Sequence, residues 1–216
     1  MKYYSEEKLL HSAQSLFETL ESRTEIAQEL AEYTYDTDKV AEGKALFETA
    51  KAQQQANQKE TKEEIQAYDK FGKSFGELVE VYKSHRKKVK IVFKEEPATL
   101  KILAVKGTIA TRVLTLLEEI EVLYTELDKD STYKTAVQKM KITPEDISAQ
   151  LTKLTETKHL YAQYSTEKGE SQQATKDKNQ AFAALEKWVR DFYSVAKIAL
   201  EDKPQLLESV GKFVRS

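Results

Sequence analysis

Histidine is the residue type in this chain best suited to acid–base or metal chemistry, and there are only three: His11, His85 and His159. Glu156 and His159 match Glu-x-x-His, the spacing that directs two ligands inward from one helix of a di-iron bundle. Such a site needs a second Glu-x-x-His pair, and the sequence contains none. His85 falls in an apolar register, which favours a core or boundary side chain over a base. We therefore predict no metal site.

The sequence contains no motif for covalent catalysis. It has no cysteine, which excludes thiolate catalysis, disulfides and cysteine zinc sites. Gly-x-Ser-x-Gly, a glycine-rich phosphate loop and His-Glu-x-x-His are all missing. Carboxylates are abundant, but no pair is distinguished by its spacing. We predict no catalytic residue, no cofactor-binding residue and no cofactor, and hence a protein that is not an enzyme.

A run of cations without acids lies between Val81 and Lys94. Five of these cations follow helical spacing and predict a basic stripe: Lys83, Arg86, Lys87, Lys90 and Lys94. Such a stripe could bind phosphate groups or an acidic partner. Glu80 and Glu95 bracket the run and weaken its field, so ordinary surface charge is the other interpretation.

Aromatic side chains give a second candidate site, formed by His159, Tyr161, Tyr164 and Trp188. Two interpretations are open. The tyrosines and His159 could pack against Trp188 within a core, or they could line a groove between helices.

The composition predicts an all-α fold. Glycine and proline, 6 and 3 of 216 residues, are too scarce for the turns of a β or α/β fold, and good helix formers make up much of the rest. The net charge of −2 gives no general attraction to nucleic acid or anionic membranes. No apolar leader is visible in MKYYSEEKLLHS, so we expect a cytoplasmic protein.

An internal duplication with an offset of about 107 residues is predicted from two similar segments. The apolar positions from Phe182 to Leu200 repeat those from Phe75 to Phe93, and the same offset carries Pro204 onto Pro97. The predicted architecture is two helical bundles, at 1–107 and 108–216.

Each half should contain helices with recognisable starts and ends. The first runs from about Ser5 to Glu21, and each long helix stops just before its proline. The predicted N-caps of later helices are Thr24, Ser131, Thr37 and Thr143. The helix that opens at Thr143 should end near Gly169.

A long central helix around 97–128 should join the two bundles, because nothing after Pro97 stops it before Asp128. Gly107 lies inside this helix. A membrane span at Ala98 to Leu117 is the alternative interpretation, but Lys101, Lys106 and Arg112 interrupt it.

The stretch from Trp188 to Tyr193, together with ALEDKPQLLE from Ala199, resembles uncharacterised bacterial tandem-helical proteins. The resemblance covers mainly the last third of the chain. It implies no activity, cofactor or site residue.

The most favoured function is non-catalytic: a helical binding or scaffold protein that contacts a protein partner, or itself, through helix–helix packing. The alternative is binding of nucleic acid or an anionic surface through the basic stripe. A metal-dependent enzyme in a helical bundle is the third candidate.

Overall fold

The computed structural model describes residues 5–210, and every regular element among them is an α-helix. The all-α prediction is confirmed. The helices are α1 (Glu6–Ser22), α2 (Thr24–Ala31), α3 (Thr37–Val92), α4 (Pro97–Ile102), α5 (Val113–Lys129), α6 (Ser131–Gln138), α7 (Pro144–Ala199) and α8 (Pro204–Ser209). Within the described range no helix is long and apolar enough to cross a membrane.

Local capping chemistry explains where several helices begin. Thr143 Oγ1 accepts a hydrogen bond from Asp146 N at 3.1 Å, and Asp146 Oδ2 accepts one from Thr143 N at 2.9 Å, which is a capping box ahead of α7. Ser5 caps α1 by accepting from Lys8 N. Three predicted caps, Thr24, Thr37 and Ser131, are wrong by one residue.

Aspartates replace two of the three misplaced caps, since a short carboxylate reaches the free amides of the first turn well. Asp36 Oδ1 accepts from Lys39 N at 2.9 Å, in place of Thr37. Asp130 accepts from Thr132 N and Tyr133 N, in place of Ser131. At α2 the capping position is Arg23, which makes no side-chain cap bond, and the predicted cap Thr24 is the first helical residue.

The two long helices are longer than predicted. α3 and α7 each have 56 residues, and α7 continues through Gly169. A glycine inside a helix costs only about 1 kcal/mol relative to alanine, which packing along the rest of the helix offsets. The prediction of a helix end at Gly169 is therefore wrong. Both helices do end ahead of their prolines, at Val92 and Ala199.

The predicted central helix at 97–128 is also wrong. α4 ends at Ile102, and the chain does not become helical again until Val113. Ala104 and Gly107 have positive φ angles of 51° and 85°, and the turn places Leu103 and Val105 in the core with no exposed surface. Burying these two side chains favours the turn over a continuous helix.

The chain divides into two compact units that differ from the predicted halves at 1–107 and 108–216. The terminal unit is Met1–Thr61 with Gly169–Ser216, and the internal unit is Lys62–Lys168. Each unit takes one end of α3 and the opposite end of α7. The physical reason is that the apolar face at the end of each long helix packs on short helices from the other half of the sequence.

The terminal unit has a core rich in aromatic side chains. Trp188 stacks on Phe192 with ring centroids 5.5 Å apart, and Phe17 and Tyr35 pack against this pair. Gly43 of α3 lies directly under the Trp188 indole, so a larger residue would overlap the ring.

The internal unit places α3 and α7 side by side in antiparallel directions. Ser74 Oγ lies 2.8 Å from Thr157 Oγ1, and the Phe71 ring centroid is 5.2 Å from that of Tyr161. Further along α3, the core continues onto α5 and α6 with aliphatic residues such as Leu123 and Val137. Two polar side chains, His85 and Tyr124, lie within this core.

The helices of the two halves correspond in length and spacing. α1 and α5 have 17 residues each, α2 and α6 have 8, and α4 and α8 have 6. The starts at 6, 24, 37 and 97 recur at 113, 131, 144 and 204, which is 107 positions later in each case. This correspondence allows each residue of one unit to be compared with a counterpart in the other.

Candidate functional site

The five residues of the predicted basic stripe have different surroundings in the structure. All of them lie in the internal unit, at the end of α3 or in the turn just after it. Arg86 Nη2 and Lys90 Nζ both donate to the carbonyl oxygen of Gly107, at 3.1 and 2.8 Å. Lys94 Nζ lies 3.5 Å from a carboxylate oxygen of Glu95.

Arg86 and Lys90 hold the segment between α4 and α5 against α3. The positive φ of Gly107 directs its carbonyl towards the two cations. On the other side of the segment, Ala110 N donates to Glu119 Oε2 at 3.2 Å. Burial, together with the neighbouring Arg86, lowers the pKa of Lys90 from its usual value. Both cations therefore have a structural role in this unit.

Lys83 and Lys87 differ from their neighbours because they have no partner. Within the described part of the chain, neither ammonium group makes a hydrogen bond or an ion pair, and both side chains are exposed. They stand on the rim of a shallow groove of about 440 Å³. Phe75, Gly76 and Val79 line the same groove.

The groove is part of a longer exposed surface on the same helix. Ile65 and Tyr68 precede it by two to three turns, with 56% and 55% of their surfaces exposed. Gly72 and Gly76 lie between, and a Cβ atom at either position would have no atom within 4 Å. We call this surface the α3 face, and it consists of Ile65, Tyr68, Gly72, Phe75, Gly76, Val79, Lys83 and Lys87.

The residues of the predicted aromatic groove, His159, Tyr161, Tyr164 and Trp188, are divided between the two units. Trp188 is buried in the core of the terminal unit, whereas the other three belong to the internal unit. Tyr161 contacts Phe71, and Tyr164 packs on Phe71 and Tyr68. The sequence interpretation missed these α3 partners because helix pairing is not visible in local spacing. His159 itself is exposed.

The candidate metal pair is engaged in ordinary surface contacts. A carboxylate oxygen of Glu156 lies 3.4 Å from Lys153 Nζ on the same helix. Among the described residues, His159 belongs to no cluster of histidine, aspartate and glutamate that could hold one ion.

The buried polar groups of the internal unit are poorly placed for catalysis. His85 Nδ1 lies 3.1 Å from the Tyr124 hydroxyl, and only 7% of His85 is exposed. Burial and the nearby Lys88 lower the pKa of His85. Burial and Glu119 raise the pKa of Tyr82 to about 12, and burial also raises the pKa of Tyr124. His85 and Tyr124 thus form a buried polar pair within the core of the internal unit.

Two further grooves lie outside the α3 face. One, of about 220 Å³ in the internal unit, is lined largely by polar side chains such as Gln66, Lys70 and Gln163. The other, of about 270 Å³ in the terminal unit, combines apolar residues such as Val40 with the Lys44–Glu21 ion pair. We select the α3 face as the candidate site because its groove is accompanied on the same helix by exposed apolar side chains and by two unpaired cations.

The terminal unit has different residues at the equivalent positions of its long helix. The counterparts of Gly76 and Val79, 107 positions later, are Ala183 and Glu186. The counterparts of Glu80 and Ser84 are Lys187 and Asp191, which form an ion pair at 2.8 Å. A polar, internally paired surface is thus compatible with this type of helix, so the fold does not require the α3 face.

No family model, curated protein or solved structure matches this chain. The candidate site is therefore defined by its geometry alone. Sequence reasoning found Lys83 and Lys87 but missed Ile65, Tyr68 and the two glycines. The signal that could have found them is the pair Gly72 and Gly76, four residues apart on a helix that has no conformational need for either.

Proposed function

We propose that this protein is a non-catalytic helical binding or scaffold protein, and that its internal unit binds a helix of a protein partner along the α3 face. The observation that carries this proposal is the exposed groove over Phe75, Gly76 and Val79, continuous with exposed Ile65 and Tyr68. Helix-in-groove recognition requires apolar anchors at helical spacing, which this surface supplies.

The two glycines, Gly72 and Gly76, support the proposal because each of them destabilises the helix. Each lowers the stability of an exposed helical position by about 1 kcal/mol relative to alanine. Nothing in the described structure occupies the space that a side chain would take at Gly72 or Gly76. The absence of side chains at these two positions allows a partner helix to pack closely on α3.

We also propose that the chain arose by internal duplication, and that binding is confined to one copy. The shared helix lengths and the constant spacing of 107 support the duplication. The charged surface at Glu186, Lys187 and Asp191 supports the restriction to the internal unit. A cytoplasmic location stays a prediction from the sequence.

Binding of nucleic acid or an anionic surface is the second candidate function, favoured by the unpaired Lys83 and Lys87. It is weakened because Arg86 and Lys90 bind Gly107 instead. Two free cations would release few counterions, so we expect low affinity and a shallow dependence on salt.

The proposal is tested by photocrosslinking from the groove. A benzoylphenylalanine at Ser84 should crosslink one defined protein in native cells, and the matched label at Asp191 should not. The identified partner, made recombinantly, should then bind the wild type and lose affinity for the Gly76→Gln variant, because a long side chain holds the helices apart. Ala183→Gln is the matched control and should bind normally. Equal binding by both variants would overturn the proposal, as would crosslinks that nuclease removes.

A further inference from the structure

The charge distribution along the α3 face carries information about its partner. The face extends from Ile65 to Lys87, about 33 Å at 1.5 Å per residue. One end presents exposed Ile65 and Tyr68, the middle is the groove at Gly76 and Val79, and the other end presents two unpaired ammonium groups. A complementary ligand is apolar along most of its length and negatively charged at one end.

We propose that the occupant of the α3 face is an amphipathic protein helix that carries carboxylates opposite Lys83 and Lys87. This inference rests on the proposed function and names the chemical class of its partner. Apolar side chains of the partner cover Phe75 and Val79, and its backbone approaches α3 where Gly72 and Gly76 leave space. The carboxylates give the two ammonium groups the ion pairs that the described chain does not supply.

A second copy of this chain fits the same face less well. Two α3 faces that cross in antiparallel directions midway between Gly72 and Gly76 set Lys83 against Ile65. The same arrangement sets Glu80 against Tyr68. In this register neither Lys83 nor Lys87 lies directly opposite an acidic residue, and an ammonium group that loses water without gaining an acid is unfavourable. Self-association through this face is therefore an outcome that the test must be able to show.

Phosphate-bearing ligands also match the face less well than a helix does. Such ligands would bind Lys83 and Lys87 but leave the apolar side chains of Phe75 and Val79 in the groove uncovered. Glu80 also lines this groove and repels phosphates and carboxylates alike, so it is the apolar side chains that favour a helix over a phosphate ligand. An acidic amphipathic helix contacts both the apolar side chains of the groove and the two lysines.

The inference is tested with a phage-displayed library of helical peptides. Leucine is fixed at positions i, i+3, i+4 and i+7, and the flanking positions are free to be Glu, Gln or Lys. Selection on the full-length wild type should enrich Glu at the flanking positions of one end. Selection on Lys83→Glu/Lys87→Glu should enrich Lys there. Selected peptides should bind the wild type about tenfold more tightly than the charge-reversed variant, the sum of two partly exposed ion pairs.

The control for location is Gly76→Gln, which should abolish binding of the selected peptides, while Ala183→Gln should not. Neutral or basic peptides that bind both charge forms equally would overturn the acidic-partner inference, and a crosslinked partner at Ser84 would still support the proposed function. The inference would also be overturned if selection on the wild type enriched no peptide relative to selection on Gly76→Gln. A stable dimer seen in sedimentation and dissociated by Gly76→Gln would overturn it as well. Lys83 and Lys87 are exposed, so the charge-reversed double variant should keep the wild-type circular dichroism spectrum.

Discussion

The imidazole of His85 lies against the phenol of Tyr124 in the core of the internal unit, with Nδ1 3.1 Å from the hydroxyl oxygen. Their rings meet edge to face, with centroids 5.9 Å apart. In the terminal unit the counterparts of these residues are Phe192 and Phe17, both in the apolar core. The same helical framework therefore holds a polar pair in one unit and an apolar pair in the other.

This pair predicts that the internal unit loses stability in mild acid. Burial and Lys88 lower the pKa of His85 in the folded state, although Asp146 opposes them, and the unfolded value is about 6.5. The unfolded chain therefore binds a proton more readily, so the stabilisation is full above about pH 6.5 and is lost as pH falls through the folded pKa. Urea unfolding at a series of pH values measures the effect.

The matched variant for this prediction is His85→Phe/Tyr124→Phe, which copies the terminal unit. It should remove the pH dependence in that window. His85→Phe alone should cost about 1–3 kcal/mol in the free energy of unfolding, because the Tyr124 hydroxyl is left buried without a partner. The double variant should recover part of this loss. His159→Gln, at an exposed histidine, should leave the profile unchanged; a double variant with the wild-type profile would contradict the assignment to His85.

The close contact between Gly43 and Trp188 predicts opposite effects for alanine at two helical glycines. Gly43→Ala should lower the free energy of unfolding by about 1–3 kcal/mol, since its Cβ would overlap the buried indole. Gly169→Ala, where nothing lies within 4 Å, should raise it by about 0.5–1 kcal/mol. Chemical denaturation followed by tryptophan fluorescence and circular dichroism measures both changes. A neutral Gly43→Ala would show that the indole moves freely.

The cations at Gly107 predict a separation of structural and surface roles within the basic stripe. Arg86→Met/Lys90→Met should speed amide hydrogen exchange at Val105 and Lys106 and cost about 1–3 kcal/mol of unfolding free energy. Those two amides donate to Leu100 O, so they report directly on the turn after α4.

The control for that experiment is Lys83→Met/Lys87→Met on the same helix. Because these side chains have no partner in the described structure, exchange in the turn should not change. Equal effects of the two double variants would show that Arg86 and Lys90 do not hold the segment.

The internal unit is continuous in sequence, which predicts that it folds alone. A fragment of residues 62–168 contains the whole core around Leu123, including the ends of α3 and α7 that cover it. It should unfold cooperatively and show dispersed amide resonances. A fragment of residues 1–107 separates Leu78 and Tyr82 from their α5 and α7 partners and should not. Cooperative folding of 1–107 with a disordered 62–168 would contradict the observed division.

Much of the secondary structure could be predicted because its causes are local. The capping box at Thr143 and the prolines at 97 and 204 mark helix starts through contacts within one turn. The helical period identified Phe75 to Phe93 and Phe182 to Leu200 as apolar faces. Errors arose where local signals did not decide the outcome. The helix α7 continues through Gly169, and the burial of Leu103 and Val105 favours a turn over the predicted central helix.

The candidate site was only partly predictable for the same reason. The sequence identified the cations from Lys83 to Lys94 but could not separate Arg86 and Lys90 from Lys83 and Lys87. That separation depends on the carbonyl of Gly107, which is distant in sequence and is brought to α3 by the fold.

The sequence by itself determined that the chain is helical, where most of its helices begin, and which residues form their apolar faces, since these depend on interactions within a few residues. The tertiary structure decided which faces meet. It joined the end of each long helix to short helices of the other half, because those apolar surfaces complete each other's burial. It also decided which apolar and charged side chains of α3 were left exposed, and these define the proposed binding surface.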